Sequence, residues 1–135
     1  MKKLSLAVLA FCACFFLFGC GKEGELKEVI EENLKACQNE YMTKYLDSIE
    51  DGPLKNSTEQ VMKVLFEQYD LKYELVDFKV ISCKGNTAVV EVKQKTTKVS
   101  GPVFRDNIGV YAHTLKKHSS GWKFVKTEIK SVEYL

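Results

Sequence analysis

The 135-residue chain has only two prolines, one arginine and two histidines, and it has almost no surplus of charge of either sign. With 45% hydrophobic and 28% charged residues, the scarcity of proline excludes a disordered or linker-rich chain and leaves room for one globular domain. There are 20 Lys+Arg against 18 Asp+Glu, and Lys2 and Lys3 fall in a segment read below as a leader, which leaves 18 against 18. A neutral domain is not built to cover nucleic-acid phosphates, whose non-specific affinity comes from a surplus of Lys and Arg. Zinc-ligand spacings, a Gly-rich phosphate loop, HExxH and Gly-x-Ser-x-Gly are all missing, so the common enzyme signatures are absent. Beyond residue 20 only Cys37, Cys83, His113 and His118 remain as soft ligands, and neither a metal nor a cofactor is expected.

What is present begins at the N-terminus. Lys2 and Lys3 precede an apolar run over residues 4–18, interrupted only by Ser5 and followed at once by Gly21, Lys22, Glu23 and Gly24. A spanning helix needs about 20 apolar residues, so this run reads as a signal peptide, with an uncleaved anchor as the alternative. Its end, Leu17-Phe18-Gly19-Cys20, resembles the lipobox of bacterial lipoproteins. The resemblance implies removal of residues 1–19, lipid on the Cys20 sulfur, a tether over 20–24 and a single domain over 25–135. The expected address is the extracytoplasmic face of the cell membrane, where two or three acyl chains anchor a protein stably. With Cys12 and Cys14 lost and Cys20 modified, Cys37 and Cys83 can form one disulfide; alternatively both are ordinary apolar positions.

Between residues 25 and 49, Leu26, Ile30, Leu34, Cys37, Tyr41, Tyr45 and Ile49 recur every three or four positions, one face of an amphipathic helix or helix pair. Glu50-Asp51-Gly52-Pro53 stops it. Asn56-Ser57-Thr58 fits a glycosylation sequon, but Ser57-x-x-Gln60 is also a capping box, and it predicts a second helix that turns Val61, Val64, Leu65 and Tyr69 inward and ends near Asp70. The period then changes to two, over four strand-like runs separated by Lys84-Gly85-Asn86, Ser100-Gly101-Pro102 and Ser119-Ser120-Gly121, which predicts an antiparallel meander. Leu71, Tyr73 and Leu75 share one parity and Val76, Phe78 and Val80 the other, so a β-bulge is expected near Leu75-Val76. The change from Trp122 and Phe124 to Val125, Thr127 and Ile129 predicts another. In the second run Ala88, Val90, Val92, Gln94 and Thr96 face inward.

Helices followed by a curved antiparallel sheet make an α+β domain, with the helices packed in the concave face of four strands. The segments Leu65-Phe66-Glu67-Gln68-Tyr69-Asp70, Tyr73-x-Leu75, and His113-x-Leu115 with Gly121-Trp122-Lys123-Phe124 resemble the nuclear transport factor 2-like superfamily. That likeness implies a cone-shaped fold with a pocket at its wide end. A cystatin-like sheet wrapped on a helix has the same periodicity and is the alternative.

If Leu115 faces the core, alternation places His113, Tyr111, Gly109, Asn107 and Arg105 on the same face, opposite Tyr41 and Tyr45 of the helix. Arg105, the only arginine, carries a planar fork suited to a carboxylate. These six side chains, Tyr41, Tyr45, Arg105, Asn107, Tyr111 and His113, form a candidate site for a small, partly polar or anionic molecule. For each alone the competing role is a satisfied core residue or a surface ion pair, and His118 reads as a solvated turn residue. Enzymes of the superfamily, such as ketosteroid isomerases and polyketide cyclases, place a carboxylate base in the cone. Here Asp106 has the wrong parity to meet His113, and no convincing base remains. The expected function is therefore a membrane-anchored, non-catalytic binding or accessory module; the alternative is an isomerase- or cyclase-like enzyme. A third class, an envelope protein that docks another protein through its sheet, would need apolar outward positions, and those assigned are Lys, Glu and Thr. Residues 22–51 carry four lysines against nine acids, and 72–135 twelve basic residues against six acids, which reads as solvated faces.

Overall fold

Helix α1 (Glu23–Gln38) forms where the apolar stripe begins, and it buries Leu26, Ile30 and Cys37. The computed structural model describes residues 21–135, so the expected leader and Cys20 lie outside it. The stripe is divided into a pair, with α2 spanning Met42–Asp47. The break is a Schellman motif: Tyr41 N–H donates to Ala36 O at 2.8 Å, Glu40 N–H donates to Cys37 O at 3.1 Å, and Glu40 takes a left-handed φ of 54°. That position usually holds glycine, which is why Gln38-Asn39 gave no strong sign of a stop.

The third helix, α3 (Pro53–Gln68), starts four residues before the expected cap. Gly52 at φ 145° turns the chain, Pro53 occupies the first helical position, and Asn56 N–H donates to Gly52 O. Ser57 lies inside the helix and its hydroxyl donates to Leu54 O. The inner face moves accordingly: Met62 is buried, whereas Val61 and Val64, expected inside, are exposed.

Strands β1 (Asp70–Lys84), β2 (Thr87–Ser100), β3 (Asn107–His118) and β4 (Gly121–Tyr134) form one antiparallel sheet in the order β1-β2-β3-β4. Both expected bulges are present. In β1 the register skips Val76, and in β4 it skips Val125. Further slips leave out Ile81, Val99 and Lys130. Three exposed apolar side chains, Val76, Ile81 and Val99, are thus extra residues at bulges, turned out of the sheet's alternation. Bulges also raise local twist, which curves the sheet around the helices.

Ala88, Val90 and Val92 of β2, Leu115 of β3 and Trp122 and Phe124 of β4 meet Leu26 and Ile30 of α1, with Leu46 and Ile49 closing the side. Two joints tie helices to sheet edges. Gln38 Oε1 accepts from Tyr73 N–H at 2.8 Å, and a bridge between Ile49 and Phe124 is held by Glu50 N–H to Phe124 O and Phe124 N–H to Ser48 O. No helix among the described residues is long and apolar enough to cross a membrane.

Candidate functional site

The sheet outruns the helices that fill it, and the concave face beyond the core lines a cleft of about 420 Å³. Its apolar wall comes from Ile30 and Leu34 of α1, Met62 and Leu65 of α3, and Val92 and Phe124 of the sheet. Its polar groups are Asn33, Tyr45, Thr58, Tyr73, Gln94, Thr96, Asn107, Tyr111, His113 and Thr127. Among the described residues, no Lys, Arg, Asp or Glu lines it.

Strict alternation along β3 brings Asn107, Tyr111 and His113 to this face, and Tyr45 of α2 meets them. The ring of Tyr111 lies across Gly109: a Cβ there would be 2.6 Å from the phenol oxygen, so the space glycine leaves is already taken by the tyrosine. His113 stacks near-parallel on Tyr111 at 6.1 Å between ring centres, meets the edge of Phe124 at 5.0 Å, and has Nδ1 2.8 Å from Thr127 Oγ1. Burial lowers the pKa of His113 to about 4, so the imidazole is neutral near pH 7 and offers one donor and one acceptor.

Two expected members are elsewhere. Arg105 precedes β3, so the alternation never reaches it; its guanidinium lies 4.2 Å from the ring centre of Tyr134 and is exposed. Tyr41 sits in the turn between α1 and α2 and is 57% exposed. Asp106 points away from His113, and its carboxylate accepts from Lys98 N–H at 2.8 Å. His118 is half-buried rather than solvated, with Nε2 3.6 Å from Glu50 Oε2.

Of the two readings of the cysteines, a disulfide between Cys37 and Cys83 is not the one the structure has. Cys37 lies in the cleft wall beside Tyr73, while Cys83 is ten residues farther along β1. Ten residues of strand cover roughly 30 Å, whereas a disulfide needs Cα atoms within about 7 Å. Burial pushes the Cys37 thiol up to about 11, which removes it as a nucleophile at neutral pH, and it also raises Tyr45, Tyr73 and Tyr111. The cleft can therefore hydrogen-bond and stack, and among the described residues no carboxylate lines it. Sequence reasoning missed Tyr73 and Thr127 as lining groups, although the inward parity of the first run and the bulge at Val125 carried the signal.

A more open groove of about 530 Å³ runs between α1, α2 and the β3–β4 turn. Two ion pairs lie in it, Lys44 on Glu32 at 2.9 Å and Lys117 on Glu25 at 3.3 Å, and Glu28 and Asp47 add negative charge to its wall.

Residues 28–135 match the family model described as the C-terminal domain of anti-sigma-I factor RsgI9. The chain belongs to that family. This RsgI9 C-terminal-type domain is 29% identical over 111 residues to the anti-sigma-I factor RsgI9 of Acetivibrio thermocellus, covering 82% of the chain and 16% of that relative's length. Among solved structures, an NTF2-like protein of unknown function from Pseudomonas putida superimposes with a TM-score of 0.67 at 11% identity, covering 82% of this chain and 87% of the other. A protein of unknown function with a cystatin-like fold from Nostoc punctiforme gives 0.65 at 12% identity, with 81% and 89% covered. These likenesses agree with the fold described above, an α+β domain with three helices against a curved four-stranded antiparallel sheet.

Proposed function

We propose that the protein is a lipid-anchored, extracytoplasmic binding module, non-catalytic, whose cleft receives a small uncharged molecule with both an apolar face and hydrogen-bonding groups. The observation that carries this reading is the composition of the cleft wall: hydroxyls, amides and one neutral imidazole amid apolar side chains, with no charged residue among the described ones. An ion entering it would lose hydration and meet no counter-charge, so the anionic ligand suggested by Arg105 gives way to a neutral one. The lipobox-like Leu17-Phe18-Gly19-Cys20 supports the anchor. The matching family is the C-terminal domain of a protein named as an anti-sigma-I factor, and that name supports an accessory role for this chain in which it acts on a protein partner.

The test is an NMR titration of the mature protein with benzyl alcohol, benzoate and benzylamine, three probes of similar size and different charge. Benzyl alcohol should shift the His113 ring and Gln94 amide signals, and both ions should bind at least tenfold more weakly, about 1.4 kcal/mol. Benzoate binding as tightly as the alcohol would refute the neutral-ligand reading. A second reading, docking of an envelope protein on the sheet, is favoured by one observation. Ile108, Val110 and Ala112 alternate with the cleft residues along β3 and so face the convex side, where the sequence had suggested only Lys, Glu and Thr.

A further inference from the structure

We infer that the closed end of the cone rests on the lipid surface and that the cleft opens toward the aqueous side. The inference rests on the lipid attachment at Cys20 proposed above, and the structure adds where that attachment holds the domain. Only Gly21 and Lys22 separate Cys20 from α1, a reach of about 7 Å. The start of α1 is clamped to the sheet. Leu26 is fully buried and its N–H donates to Lys22 O at 2.9 Å; the Lys22 ammonium lies 5.4 Å from the centre of the Trp122 ring; and Glu25 accepts from Trp122 Nε1 at 3.2 Å and from Lys117 Nζ at 3.3 Å.

Both hairpin turns lie at this same end. Lys117 N–H donates to Asn86 O at 2.7 Å, which joins the β1–β2 turn to the β3–β4 turn beside Trp122. The opposite end carries the β2–β3 connection, residues 101–106, and the C-terminus, where Leu135 N–H donates to Asp106 O. The twelve residues of β3 separate the two ends by roughly 40 Å. Core side chains Leu26, Ala88, Leu115 and Trp122 fill the anchored end, and the cleft reaches Thr96, Phe104 and Asn107 toward the other. Charge at the anchored end is mixed: Lys84, Lys116 and Lys123 share a cross-strand row, but Asp47, Glu50 and Asp51 lie beside it. The tether therefore sets the orientation, and the cleft draws its ligand from the aqueous side and not from the bilayer.

Trp122 is the only tryptophan in the chain, and it marks the anchored end. Protein expressed in a bacterium with its leader is reconstituted into phosphatidylglycerol/phosphatidylcholine vesicles that contain dansyl-phosphatidylethanolamine. Energy transfer from Trp122 to the dansyl lipid is then measured in the native protein and in a Val103→Trp variant; Val103 is 92% exposed at the far end, so the fold is not challenged. The native protein should show strong transfer, and the added tryptophan should contribute emission that the dansyl lipid leaves unquenched. Equal quenching of both donors, or vesicle-bound protein with no transfer from Trp122, would overturn the orientation while leaving the anchor intact. Protein that fails to float with vesicles would overturn the anchor and the orientation together.

Discussion

Replacing His113 with Gln removes a titrating group from the cleft while keeping a side chain able to hydrogen-bond Thr127. Burial takes the His113 pKa from an ordinary 6.5 to about 4, so the folded state binds its proton less readily than the unfolded chain. Below pH 6.5 the unfolded state takes up a proton that the folded state refuses, and stability falls with pH until the folded-state pKa is reached. Taking 6.5 unfolded and 4 folded, the loss between pH 8 and pH 5 is about 2 kcal/mol. Denaturant unfolding of both proteins at pH 8 and pH 5 measures it. The wild type should lose about 2 kcal/mol more than His113→Gln over that interval, since surface carboxylates contribute equally to both. The His113 ring signals, followed by NMR against pH, should show a midpoint far below 6.5. A midpoint near 6.5, or the same pH dependence in both proteins, would refute the claim that the cleft excludes charge.

Glu40→Gly should stabilise the domain by about 0.5–1 kcal/mol, because Glu40 occupies a left-handed position that costs any residue with a Cβ, whereas Glu40→Ala should leave chemical-denaturation midpoints unchanged. Gly101→Ala should destabilise by at least about 2 kcal/mol by the same assay: its φ is 120°, and a Cβ there would be 2.6 Å from Gln68 O, so backbone must move at the junction of α3 and β1. Proteolysis without reductant should release the Cys37 and Cys83 peptides unlinked to each other, and a mass that joins the two through a disulfide would contradict their separation along β1. Cys20→Ala should abolish metabolic labelling with a fatty acid, and labelling that persists would remove the anchor.

Periodicity alone established the order of helices and strands, the antiparallel meander and two of the bulges, because those depend on which face of a local element is apolar. Ala88, Val90 and Val92 announce a half-buried strand whatever surrounds them, and a parity change at Val76 or Val125 has no other simple cause. The same alternation carried Asn107, Tyr111 and His113 correctly to one face. It was silent on where regular structure starts. Arg105 has the right parity but lies before the strand, and Ser57 has the right spacing for a cap but lies within a helix that Gly52 and Pro53 had already begun. The helix break at Glu40 was equally hidden, since tertiary packing at Tyr45 and Cys37 holds a residue there that local propensity disfavours. The charge of the cleft was decided by the tertiary fold alone. Which of the 36 charged side chains beyond residue 20 reach the concave face depends on the long-range pairing of the strands and on where the helices pack, and neither leaves a mark in any one segment. Their joint outcome is a wall of neutral donors and acceptors, with the one arginine left outside.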